Sequence, residues 1–407
     1  MPQISPLGRM DPKVLGASLR AARVASGLTQ ADVATKLGMA RTTVVAIESG
    51  KRVVRAEDIM RFAELYRRPV PELVGRTRVT ANFTAQFRAR ELHSPPAQVD
   101  GSMAVYELQT LAEGYADLEA QLGAIEKRQF PSEYSIQGVS LRDAAEEVAV
   151  GERNRMSLGD GPAGNLRDRL EADNGLRVFQ FEMPSKLAGL FVFSNDLGPC
   201  VAINVNHPEE RRRWTLVHEY GHFLMHRYQA DITILENKRL KAHREQIADA
   251  FAEHFLMPAA GLNRRFTAIK RSASSGVIVA DLVRLAHLYG VSFQAMVIRL
   301  ETLQRIPSGT WNRLKSSGFK VREAQEILGM SRKNEIERRF PSRYVSLAVQ
   351  AYNQALVSEE QLTRLLRTDR ITTRLIVERH WRAVCGEDDG EFLSLHLDPA
   401  IEMKGAK

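Results

Sequence analysis

Cysteine is nearly absent from this 407-residue sequence: Cys200 and Cys385 stand far apart, and neither has a partner in a C-x-x-C pair. Such sparse usage argues against a disulfide framework or a cysteine-based zinc site, and it fits a reducing compartment. Long apolar runs are missing too. None approaches the roughly eighteen residues that a membrane helix needs. No long apolar stretch follows a basic start in the first thirty residues, so no signal peptide is expected and the cytoplasm is the expected location. There is no low-complexity tract and no evident sequence repeat. What remains is ordinary globular material, 44% hydrophobic and 26% charged, long enough for two or three domains.

The charge is unevenly spread. Of the net +8, a balance of +7 falls in residues 1–80, where fourteen Lys or Arg face seven Asp or Glu. A segment so basic expects a phosphate-bearing partner.

Residues 14–74 read as short helices, at about 14–26, 30–37, 41–49, 56–66 and 71–74. Gly27, Gly38 and Gly50 close the first three, and Thr29 is placed to cap the second. Residues 76–100 look irregular, with a break at Ser94-Pro95-Pro96. Apolar periodicity predicts a long helix over 103–128 and another over 140–155. Strand character follows at 177–181, 190–193 and 200–205, and the chain reads as mostly helical from 211 onward. Ile306-Pro307 marks an expected boundary before a tail of short helices.

The run Leu28-Thr29-Gln30-Ala31-Asp32-Val33-Ala34 leads to Gly38-Met39 and then to Arg41-Thr42-Thr43-Val44-Val45-Ala46-Ile47-Glu48-Ser49-Gly50. Val33, Ala34 and Leu37 can bury against Val44 and Ile47, Ala34 suits a close helix crossing, and Gly38 suits a left-handed turn. This run resembles the Xre/Cro-type repressor family, with Ala40 departing from the family's usual Ser or Thr cap. The resemblance implies that Arg41, Thr42 and Val45 read base edges in an operator. Gln30 at a helix N-terminus, with Lys51 and Arg52 past the reading helix, is expected on phosphates. A homodimer on double-stranded DNA is what the resemblance implies for assembly.

His218-Glu219-Tyr220-Gly221-His222 is an HExxH sequence. Two histidines four apart share one helix face and can reach one zinc ion, while Glu219 stands beside it as a proton acceptor. Glu245 begins a second apolar-faced helix and can supply the third ligand. Asp249, four residues on, can fix a histidine tautomer by accepting its other ring N–H. The arrangement looks like that of the thermolysin-like gluzincins. With Arg213-Trp214-Thr215-Leu216-Val217 before it and Phe251-Ala252-Glu253-His254-Phe255-Leu256-Met257-Pro258 after, it closely resembles the ImmA/IrrE metallopeptidase family. His226 is a rival ligand, but three ligands at successive helical turns fan apart. No oxyanion stabiliser stands out; His226, Tyr228 and His254 are weak candidates.

The resemblances imply a mainly α multidomain chain. A lambda-repressor-like helix-turn-helix domain is expected over 10–75 and a linker with a long helix over 76–134. An α+β zincin-like metallopeptidase domain follows over 135–305, then a helical C-terminal region over 306–407. The implied function is a transcriptional regulator with one Zn2+ per chain that cleaves a helix-turn-helix repressor, in cis or in trans, under stress or a mobile-element signal. Two other readings stand beside it: a regulator whose peptidase-like domain only senses a metal or metabolite, and an antitoxin-like DNA-binding partner.

Overall fold

The computed structural model describes residues 12–26, 28–66, 70, 73, 83, 101–125, 130–136, 140–229, 231–234, 243–272, 276–330 and 339–385. The expected stop at Gly27, most of the helix at 71–74 and the break at Ser94-Pro95-Pro96 lie outside these residues. Two compact units emerge, residues 1–84 and 85–407.

The first unit holds α1 (Pro12–Ala25), α2 (Gln30–Leu37), α3 (Arg41–Glu48) and α4 (Ala56–Tyr66). Thr29 caps α2 by accepting from Asp32 N, and Asp32 returns a carboxylate oxygen to Thr29 N, so two orphan amides are satisfied reciprocally. Gly38 turns left-handed at φ 63°, where a side chain would be strained, and it ends α2. Ala40 makes no side-chain cap, yet α3 begins directly after it. Its start rests on packing instead: Val44 and Ile47 are buried with Val33, Ala34 and Leu37 in a core shared with Leu19 and Phe62.

The second unit opens with α5 (Ser102–Gln121), α6 (Leu141–Arg155) and α7 (Leu166–Asn174). The predicted helix over 103–128 stops earlier because Gly123, at φ 63°, turns the chain just past the end. Three strands follow, β1 (Arg177–Phe181), β2 (Leu187–Ser194) and β3 (Gly198–Asn204). α8 (Glu209–Met225) comes next, then β4 (Asp231–Ile234), which the sequence reading did not expect. The sheet order is β1-β3-β2-β4, with β1 parallel to β3 and the other pairs antiparallel. β2 and β3 are buried along their whole length, which explains their near-continuous apolar runs.

α9 (His243–Leu256) crosses α8 closely: a Cβ on Gly221 would meet Phe251 Cδ1 at 3.0 Å. α10 (Ala259–Ser272), α11 (Val279–Tyr289) and α12 (Phe293–Thr302) complete this core. The rest is α13 (Thr310–Ser316), α14 (Val321–Ile327), α15 (Ser342–Asn353), α16 (Glu359–Leu365) and α17 (Arg370–Cys385). Trp311, Leu314, Phe319 and Val321 pack against the same core, so no gap opens at Pro307. Tyr344 of α15 meets Tyr115 of α5 and Phe179 of β1 edge-on. Mainly α, with one small mixed sheet, is the architecture. Among the described residues no helix is long and apolar enough to cross a membrane.

Candidate metal centre and nucleic-acid interface

α8 runs beneath β2 with its last three turns buried, and it carries His218, Glu219 and His222 at 1%, 0% and 1% exposure. A buried polar network behind the helix fixes its rotation. The Tyr220 hydroxyl donates to the buried carboxylate of Glu152, which also accepts from Tyr134 at 2.9 Å and from Arg155. Arg155 and Asn174 close the network around the same hydroxyl. Because Tyr220 lies between the two histidines in sequence, pinning it on one face turns both imidazoles to the other.

There the rings converge. His218 Nε2 and His222 Nε2 are 3.2 Å apart, and Glu245 of α9 brings its carboxylate oxygens to 3.5 Å and 3.6 Å from them. Ligand atoms of all three residues lie within 4.8 Å of one another. Asp249, one turn further along α9, stands 3.0 Å from His218 Nδ1. A proton on that nitrogen leaves the Nε2 lone pair aimed into the cluster.

Two nitrogens and a carboxylate oxygen are a donor set that suits zinc. Glu245 Oε1 is buried and accepts no hydrogen bond among the described residues, as a ligand atom would be without its ion. The electrostatics agree. Burial opposes a charge on His218, but hydrogen bonds to Asp249 and Glu245 and the charge of Glu219 outweigh it and raise its pKa to about 10. An enclosure this anionic favours a cation.

Glu219 sits against β2, and the sequence reading missed what makes room for it. A Cβ on Gly189 would lie 2.6 Å from Glu219 Oε1 and 2.6 Å from Thr215 Cγ2. A glycine within a strand was the available signal. Of the other histidines, His226 packs its ring 5.7 Å from that of His222 and caps α8. His254 is buried elsewhere, between Arg299 and Glu146. Tyr228 is exposed and stacks edge-on against Phe193.

In the first unit, α3 turns Arg41, Thr42 and Val45 to solvent while Val44 and Ile47 face the core. Lys51 and Arg52 are exposed just past Gly50. Gln30 is engaged inward, its amide donating to Glu48 at 2.8 Å. Glu48 is itself buried and bound by Arg23 at 2.6 Å and 3.1 Å, which ties α1, α2 and α3 together. Arg55 and Arg61, which the sequence reading did not single out, line one polar hollow with Thr43 and Arg52. Such a cluster beside α3 suits a phosphate.

Two stretches of the chain match known families. Residues 14–74 match one described as a helix-turn-helix domain, and residues 171–301 match one described as the IrrE N-terminal-like domain. Members of the latter are typically metal-dependent, and the His218, His222 and Glu245 cluster lies inside that stretch. No curated protein matches the chain. The chain is thus a helix-turn-helix DNA-binding domain fused to an ImmA/IrrE-type peptidase domain.

Proposed function

We propose that this DNA-binding regulator is also a zinc-dependent endopeptidase that cleaves a helix-turn-helix repressor, in cis or in trans. The convergence of His218, His222 and Glu245, with Glu219 beside them, carries the reading. One zinc ion per chain is held by these three side chains, with Asp249 fixing the His218 ring. When bound, zinc supplies Lewis acidity toward water and a peptide carbonyl. Glu219, which the metal does not need, accepts the proton of the attacking water and returns it to the leaving amine nitrogen. A protein that used the centre only for sensing could dispense with that carboxylate, so its presence in a seat shaped by Gly189 favours hydrolysis. Arg41, Thr42 and Val45 read the operator, and Lys51 and Arg52 bind its backbone.

The test pairs two variants of the full chain. Glu219→Gln keeps zinc and loses cleavage of a repressor-like protein, whereas His222→Ala loses both. A purified wild-type chain without zinc, or Glu219→Gln protein cleaving at the normal rate, overturns the proposal.

A further inference from the structure

The turn between α16 and α17 has the construction of the turn between α2 and α3, at one constant offset in residue number. Thr29 accepts from Asp32 N at 3.2 Å, and Asp32 accepts from Thr29 N at 2.8 Å. Ser358 accepts from Gln361 N at 3.2 Å, and Gln361 accepts from Ser358 N at 2.7 Å. At the same distance past each cap the backbone turns left-handed, at Gly38 (φ 63°) and at Arg367 (φ 47°). The next amide then reaches back into the helix: Met39 N to Ala34 O at 2.9 Å, and Thr368 N to Thr363 O at 3.3 Å. The second helix starts at Arg41 in one case and at Arg370 in the other. Burial follows the same register, with Leu362, Leu366 and Thr373 standing for Val33, Leu37 and Val44. At the helix crossing, the Thr363 and Thr373 hydroxyls lie 3.2 Å apart.

A similar turn elsewhere shows what distinguishes this one. Between α11 and α12, Gly290 is left-handed at φ 62°, Val291 N reaches Ala286 O at 3.1 Å, and Ser292 caps α12. There Phe293, Met296, Val297, Arg299 and Leu300 are buried, so the second helix serves the core. In α17, by contrast, Arg370, Ile371, Thr372, Arg374 and Leu375 are exposed, Ile371 at 74%. Arg370, Ile371 and Arg374 hold the positions that Arg41, Thr42 and Val45 hold in α3.

We propose that α16 and α17 form a second helix-turn-helix that binds duplex DNA, with the first turns of α17 in the major groove. Arg364, Arg370 and Arg374 on the two helices and Arg367 in the turn between them are all exposed, which suits phosphates and guanine edges better than an apolar protein face. Ile371 offers the kind of contact that a thymine methyl takes. Arg374 pairs with Glu359, Arg364 with Glu360 and Arg367 with Glu107, but the arginines of these pairs are exposed and yield to a phosphate at little cost.

The full chain is used to select duplexes of about 30 base pairs from a random pool, long enough for more than one reading helix. Hydroxyl-radical footprinting of the selected duplex then shows two protected patches, one lost in Arg41→Ala and the other in Arg370→Glu. Arg370→Glu also weakens binding by about 10-fold or more, with melting temperature and zinc content unchanged. The same dependence on position 370 persists in the Arg41→Ala background, which separates this reader from the first. Arg370→Gln, which removes the charge without reversing it, gives the smaller loss expected of a direct contact. Unchanged affinity and footprint in folded Arg370→Glu and Arg370→Gln protein overturn the proposal. So does an Ile371→Asp variant that changes the oligomeric state and leaves DNA binding intact, since the surface then docks protein.

Discussion

Gly189 and Glu219 leave no room between them: a methyl group on the strand would come 2.6 Å from the carboxylate oxygen. Gly189→Ala therefore forces Glu219 or Thr215 aside, because the strand backbone is held by neighbours on both edges. Misplacing a proton acceptor by about 1 Å costs on the order of 100-fold in rate. The three atoms nearest this methyl belong to Glu219, Thr215 and Ala202, none of them among the proposed ligands His218, His222 and Glu245, so zinc content should hold while cleavage falls. A normal cleavage rate in Gly189→Ala protein would show that the seat of Glu219 does not matter.

Asp249 acts one bond further from the centre. Its oxygen, 3.0 Å from His218 Nδ1, sets which ring nitrogen carries the proton. Asp249→Asn keeps the shape but can present an amide N–H where an acceptor is needed. Zinc affinity should drop by roughly 10–100-fold, read by competition with a chelating dye. Equal affinities in the two proteins would remove Asp249 from the site.

His254 makes stability depend on pH. Burial, then the positive charge of Arg299, lowers its pKa to about 4. The folded value is below the unfolded value of about 6.5, so the unfolded chain takes up the proton first. The stability that goes with the neutral ring is complete above about pH 6.5 and is lost as pH falls toward 4, by about 3 kcal/mol in all. Denaturant titrations at pH 7 and pH 5 should show this decline, and His254→Gln should flatten it. The same pH slope in both proteins would assign the effect to other groups.

The His218, His222 and Glu245 cluster was legible because its pattern is local: two histidines one turn apart, then a carboxylate and its neighbour one turn apart on a second helix. The α2–α3 pair was legible for a similar reason, since Gly38 and the burial of Val33, Leu37, Val44 and Ile47 mark a turn between two short helices. What escaped depends on distant chain. β4 exists through pairing with β2, and its four residues carry too little pattern to stand out beside the helices. Gly189 matters only because Glu219 arrives from another element. Arg55 and Arg61 join the hollow beside Thr43 only once α4 has packed. The turn before α17 was hidden by its own residues, because Arg367 takes the left-handed conformation where Gly38 advertises it.

Arg41 gives the sharpest test of the proposal that α3 reads DNA. It is exposed at the first position of the helix, while the Arg23–Glu48–Gln30 network holds that helix from behind without using it. Arg41→Ala should therefore leave the thermal unfolding of the first unit unchanged. If the guanidinium meets a base edge, the operator loses about 1–3 kcal/mol of binding and random duplex loses far less. If it meets a phosphate instead, both weaken together and the salt dependence falls by about one unit. Fluorescence anisotropy on selected and scrambled duplexes across a salt series separates the two. Loss confined to the selected duplex assigns base reading to Arg41, and equal loss on both moves it to the group of Lys51 and Arg52.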